Sequence, residues 1–120
     1  MDSHTSLVRL RALRQAAVDQ LSAIEAELHG LHLAAADSNI DDEHDPEGAT
    51  LAFERAQLDA SRQRIRVQMA ETERARRDVH EGRYGICERC GEEIGEERLE
   101  ALPLTRRCIR CADGESSQSG

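Results

Sequence analysis

Aromatic side chains are almost missing from this chain. Phe53 and Tyr84 stand alone, and tryptophan is absent. With so few large rings and 33% of the residues charged, 120 residues cannot enclose a broad globular core. Lysine is absent too, since all sixteen basic residues are arginine. Positive charge is in deficit overall, with a formal net charge of −8. That argues against a protein whose main affinity is for bare nucleic acid, because neutralising phosphates takes a surplus of cations. A local basic patch stays possible. No apolar run is long enough for a signal peptide or a bilayer span, so the chain is expected to be cytoplasmic.

What is plentiful is Ala, Leu, Glu, Arg and Gln, the composition of long amphipathic helices that bury a narrow seam. Met1 to Thr5 is expected to fray. From Ser6, apolar residues recur alternately every three and four positions: Leu7, Leu10, Ala17, Leu21, Ile24, Leu28, Leu31 and Ala35, with Arg14 the one break. This is a coiled-coil seam on a helix of about 30 residues, roughly 45 Å long. Gly30 lies inside it without an evident reason. The pattern stops near Ala36, and six of the twelve residues from Asp37 to Gly48 are acidic. Asp45 suits a helix cap and Pro46 the first helical position.

A second helix is expected over Pro46 to His80. Leu51, Leu58, Ile65, Thr72 and Val79 recur every seven residues, with Arg55, Arg62, Met69 and Arg76 as companions. Ala56, Ala60, Val67, Ala70 and Ala75 are expected to widen the stripe, and Gly82 to end the helix. Two helices of similar length joined by a short loop pack antiparallel. The arginine run from Arg62 to Arg77 is expected to be solvated or paired along the helices.

All four cysteines fall after these helices, as Cys87-x2-Cys90, seventeen residues, then Cys108-x2-Cys111. Two such turns can present four thiolates to one zinc ion in a tetrahedron. The ion would be structural, because no position is left for a reactive water. Two disulfides do not suit a chain without signs of secretion. A redox Cys-x2-Cys needs a strand-helix setting missing here, and no second pair. Gly91 follows the second cysteine, where such a turn favours positive φ. Ile94, Leu99, Leu102 and Leu104 are expected to cluster around the knuckles. None of the five histidines has ligand spacing with the cysteines.

The expected fold class is therefore all-α: an antiparallel coiled-coil helical hairpin with a C-terminal four-cysteine zinc finger and a disordered tail. Residues 1–82 form the hairpin, with the acidic tip loop at about 37–48. Residues 83–111 form the finger, and 112–120, small and polar, the tail.

The wording of the finger is specific. Tyr84-Gly85-Ile86-Cys87-Glu88-Arg89-Cys90-Gly91, Ile94-Gly95, Arg98-Leu99-Glu100-Ala101, Pro103 and Cys108-Ile109-Arg110-Cys111 resemble the DksA/TraR family of bacterial transcription regulators. With the tip included, the resemblance covers roughly residues 37 to 111; the first helix matches in pattern only. It implies a factor that binds RNA polymerase directly, without a DNA site of its own; the hairpin reading expects a monomer. The helical hairpin would enter the polymerase's secondary channel and bring its tip carboxylates near the active site to modulate initiation. Counting back from Cys87 without gaps, Ala49 falls on the alanine of the family's Asp-x-x-Asp-x-Ala tip, Glu47 on the second aspartate and His44 on the first. Asp45 and Glu47 are the leading tip acids, with Asp42 behind them. On the same count the basic positions that bind the alarmone ppGpp carry Glu71, Leu102 and Ala112, and Arg64 alone stays basic. Binding of ppGpp is therefore expected to be weak or absent. The helix that follows the finger in longer members is not expected here.

Other readings stay open from residues alone. The acidic loop could be a solvated turn favouring the next helix's N-terminus. A nucleic-acid-binding zinc module would bind DNA by itself. A coiled-coil scaffold would self-associate through its seams. A cleavage-stimulating polymerase factor would use the same channel and hold a second metal with its tip acids. No nucleophile with a base and no phosphate loop is present, so catalysis by the chain itself is not expected.

Overall fold

Two long helices carry most of the chain. Helix α1 runs Ser3–Asp37 and α2 runs Pro46–His80; two short helices follow, α3 at Glu96–Ala101 and α4 at Ile109–Gln118. A computed structural model describes residues 2–37 and 46–118, apart from the side chains of Asp37, Pro46, Glu47 and residues 114–118. Among the described residues there is no strand, and the one sheet-like contact is an isolated antiparallel bridge between Ile86 and Glu93. Among the described residues no helix is long and apolar enough to cross a membrane.

The first helix starts earlier than its apolar pattern. The Thr5 N–H donates to the Asp2 carboxylate at 2.7 Å, and the Ser6 N–H to the Asp2 carbonyl at 3.1 Å. Asp2 is thus an N-cap, satisfying an N–H that the helix leaves open. The hydrogen bond from Thr5 holds the Asp2 carboxyl below the usual carboxylate range. The second helix ends as its glycine indicated. Gly82 takes φ 76, its N–H donates to the Val79 carbonyl at 3.2 Å, and the Arg83 N–H to the Asp78 carbonyl at 2.7 Å. Those two bonds are the Schellman pattern of a glycine C-cap. Arg77 and His80 lie in the last turn, where the helix dipole favours cations.

The chain divides into two compact units, one of Met1–Arg14 with Glu71–Gly120, the other of Gln15–Ala70. In the second unit, Gln20 and Ile24 of α1 lie beside Ser61, Ile65 and Gln68 of α2. Further along α1, Leu28, Leu31 and Ala35 lie beside Gly48, Leu51 and Ala52. Numbers rise on one helix as they fall on the other, so the pair is antiparallel. The α1 seam is where the periodicity put it: Leu21, Ile24, Leu28, Leu31 and Ala35 are half-buried and Ala17 is buried. Ile65 answers from α2, buried. The proposed widening of the α2 stripe is not found. Ala56, Ala60, Val67 and Ala70 are not buried, and Ala75 alone of that set is. A pair of helices covers one narrow strip of each, and alanines off that strip have little to pack against.

In the first unit, Leu10, Ala75 and Val79 form a buried cluster, with Leu7, Leu13, Tyr84 and Leu104 against it. A second cluster holds Cys87, Ile94, Leu99 and Cys108, with Tyr84 and Cys111 against it. Leu102 and Leu104 therefore do not join Ile94 and Leu99 around the knuckles as expected. Leu102 is exposed, and Leu104 faces the helices. Past Cys111, in the segment read as a tail, the backbone continues as α4 to Gln118.

Candidate metal centre

The first knuckle is a closed backbone turn. The Gly91 N–H donates to the Cys87 carbonyl at 2.9 Å, the Cys87 N–H to the Glu92 carbonyl at 2.8 Å, and the Ile94 N–H to the Gly85 carbonyl at 2.8 Å. Gly91 adopts φ 78 and Gly85 φ 84, a region that costs a residue with a Cβ. The second knuckle uses a helix start instead. Cys108 precedes α4 and Cys111 lies in its first turn, with the Ala112 N–H donating to the Cys108 carbonyl at 3.0 Å.

These turns bring the four sulfurs within 4.8 Å of one another. Zinc–thiolate bonds of ~2.3 Å in a tetrahedron put sulfurs ~3.8 Å apart. Cys90 Sγ and Cys108 Sγ are 3.8 Å apart. A disulfide would need ~2.05 Å, and all four cysteines are unpaired. The donor set fits one structural zinc ion with four thiolate ligands and no open position. Among the described residues no other group gathers three metal-binding side chains, so no histidine joins this one.

The thiols are unequal before any metal is considered. Backbone N–H groups of Cys108 and Cys90 point at the Cys87 sulfur and favour its thiolate, lowering its pKa to about 6. The Cys111 N–H likewise lowers Cys108. Cys111 goes the other way, to about 12, because the Cys108 sulfur and burial both oppose a charge there. For Cys90 the Glu92 N–H favours the thiolate, but burial and the Cys87 and Cys108 sulfurs outweigh it and the pKa rises. Four thiolates side by side repel unless a cation sits among them, which is what zinc supplies.

Polar contacts tie the finger to α2. Arg74, 19% exposed, spans Glu71 at 3.0 Å and Asp78 at 2.7 Å and donates to the Leu104 carbonyl at 3.2 Å. Arg106 reaches the same Glu71 at 3.1 Å. Tyr84 donates to the Pro103 carbonyl at 2.8 Å. Much of the arginine run is paired as expected: Arg62 with Asp59, Arg66 with Glu25 and Arg76 with Glu73. The Glu71–Arg74–Asp78 spacing is visible in the sequence, but its reach to Leu104 and Arg106 is not.

The tip acids fare differently from the cysteines. Asp42 and Asp45 lie outside the described residues. Glu47 stands in the first turn of α2, its side chain outside the description as well, and Ala49 is exposed on the same helix.

A family model for the prokaryotic dksA/traR C4-type zinc finger matches residues 82–116. An uncharacterized protein of Aquifex aeolicus is 50% identical over 52 residues, 43% of this chain and 36% of that protein. General stress protein 16O of Bacillus subtilis is 36% identical over 72 residues, 60% of this chain and 44% of that protein. The RNA polymerase-binding transcription factor DksA of Escherichia coli is 41% identical over 51 residues, 42% of this chain and 34% of that protein. The chain thus spans between about a third and under half the length of these relatives. The solved structure of transcription factor DksA2 from Pseudomonas aeruginosa shares the fold, with a TM-score of 0.60 over 93% of this chain and 86% of that one, at 20% identity.

Proposed function

We propose that this chain, whose residues 82–116 match the prokaryotic dksA/traR C4-type zinc finger, is a non-enzymatic transcription regulator of that family that binds RNA polymerase directly. The observation that carries this reading is the finger, 41% identical over 51 residues to a relative named for polymerase binding. The helices in front of it support the reading. Helix α1 ends at Asp37 and α2 starts at Pro46, so in the sequence the acid-rich segment connects the two long helices. That hairpin end would enter the polymerase's secondary channel. Its carboxylates, led by Asp45 and Glu47 with Asp42 behind them, would be drawn to the magnesium and basic groups of the active site. That attraction grows in a low-dielectric cleft and weakens with salt. Acting there, the tip would modulate initiation.

The finger and its attached helix ends would stay at the channel mouth, with the four cysteines holding zinc as a structural ion. Dependence on ppGpp should be weak. Glu71, at one of the positions the family makes basic, is engaged with Arg74 and Arg106, and Leu102 presents an exposed apolar side chain.

The decisive experiment is a pull-down with purified RNA polymerase, followed by photo-crosslinking from a probe at Glu43. Labelling next to the polymerase active site is expected. Labelling of nothing by a competent polymerase would refute the reading. A mobility shift with DNA alone would favour a nucleic-acid module, and transcript cleavage in stalled complexes a cleavage factor.

A further inference from the structure

The loop of residues 104–107 is where α2 and both knuckles converge, and Arg106 is its fixed point. Its carbonyl accepts the N–H of Glu88 at 2.9 Å, and Glu88 lies between Cys87 and Cys90. Two residues later the chain reaches Cys108. The Arg106 guanidinium holds both carboxylate oxygens of Glu71 on α2, at 3.1 and 3.2 Å. Glu71 is itself braced by Arg74 at 3.0 Å, and Arg74 bonds the Leu104 carbonyl of the same loop. Arg106 thus links the two knuckles, beside Arg107 on Glu88 at 3.3 Å and Arg110 on Glu92 at 2.5 Å, and a carboxylate thirty-five positions earlier in the chain holds it.

We propose that Glu71 is a positioning residue for the metal: through Arg106 it holds the two knuckles at the separation zinc requires and so raises the finger's affinity for the ion. A ligand set held near its bound geometry loses less freedom when the ion arrives. The coupling runs both ways, so zinc steadies the Glu71–Arg106 pair and this end of α2 in return. Charge alone predicts the opposite sign. A zinc ion with four thiolates is net negative, and a nearby carboxylate acting only through its field would weaken zinc binding. Glu71 and Arg106 are 38% and 40% exposed, so the effect is modest, about three- to tenfold.

The test measures zinc affinity of the full chain by competition with a chromophoric chelator, at fixed pH and salt. Glu71→Gln is expected to bind zinc about three- to tenfold more weakly. Glu73→Gln, whose partners are Arg14 and Arg76, is expected to match wild type. Arg106→Lys keeps the charge but loses the guanidinium whose Nη2 meets both Glu71 oxygens while Nη1 lies 3.9 Å from Glu88, so it should weaken zinc similarly even if Glu71→Gln folds poorly. In the Arg106→Lys background, Glu71→Gln should add less than about twofold. Unchanged or tighter binding in Glu71→Gln, or full additivity with Arg106→Lys, would overturn the proposal.

Discussion

Tyr84 donates its hydroxyl hydrogen to the carbonyl oxygen of Pro103 at 2.8 Å, while its ring packs against both apolar clusters of the first unit. The side chain fastens the cysteine cluster to the Leu10–Ala75–Val79 cluster. Removing the hydroxyl alone, in Tyr84→Phe, should cost about 1 kcal/mol by urea denaturation of the zinc-loaded protein. Tyr84→Ala also loses the ring's packing and should cost about 3 kcal/mol. Burial raises the phenol's pKa above its ordinary value of 10.0. Its stabilising contribution is therefore full below pH ~10 and is lost as pH climbs through the raised value. Wild type should lose stability in that alkaline window more than Tyr84→Phe does. No other tyrosine and no tryptophan is present, so near-ultraviolet absorbance follows this one ionisation directly.

Two glycines should respond to alanine with opposite signs. Gly30, in mid-helix, has no positive φ, and a Cβ added there would meet no atom within 4 Å. Gly30→Ala should stabilise by about 0.5–1 kcal/mol, through helix propensity and a less flexible unfolded chain. Gly85 has φ 84, and an added Cβ would stand 3.2 Å from Leu99 Cδ1. Gly85→Ala should destabilise by about 1–2 kcal/mol from the backbone alone, with Leu99 displaced besides. Thermal melts of the two zinc-loaded variants give both signs.

Zinc loading should release fewer than four protons at neutral pH. Cys87 titrates at about 6 and is already mostly thiolate, whereas Cys111, at about 12, and Cys90, raised, must give theirs up. In the metal-free finger, the Cys87 contribution to stability is present above its unfolded pKa and lost as pH falls through about 6. The Cys111 contribution is present below its unfolded pKa and lost as pH rises toward about 12. Calorimetry in buffers of different ionisation enthalpy should give fewer than four protons per zinc near pH ~7, rising toward four under acid, since Cys87 and Cys108 are both lowered. Acidification should then expel the ion. A constant four across the range would contradict the asymmetry of the sulfurs. Chelation should separate the Cys87–Ile94–Leu99–Cys108 cluster, since two of its four members are ligands.

The parts of this fold that could be read from sequence are those specified by local spacing. Cys-x2-Cys pairs, the three-and-four rhythm from Leu7 to Ala35, and the Pro46 and Gly82 punctuation each act within a few residues, and the start of α2, its end and the sulfur cluster follow from them. What was hidden depends on which element lies across the way. Leu104 and Leu102 are two apart with the same chemistry, yet one meets the helices and the other faces solvent. Arg74 reads as one more helical arginine, and its role comes from the Leu104 carbonyl thirty positions later. The Asp2 cap escapes a reading by periodicity because an N-cap adds one hydrogen bond and no apolar rhythm. The tip acids remain a matter of register and charge.

A last pair of substitutions tests where stability resides along the helices. Leu10 is fully buried, at 0% exposure, against Ala75 and Val79, and Val67 is 57% exposed on α2. Both are aliphatic, and hydropathy alone would rank them close together. Leu10→Ala removes a buried isobutyl group and leaves a cavity, so it should cost about 2–5 kcal/mol. Val67→Ala uncovers nothing and exchanges a β-branched residue for a better helix former, so it should fall within about 0.5 kcal/mol of wild type. Denaturant titration of the zinc-loaded chains checks both. If Val67→Ala proved as damaging as Leu10→Ala, α2 would have to bury a second stripe, and a partner surface along Val67 would have to be sought.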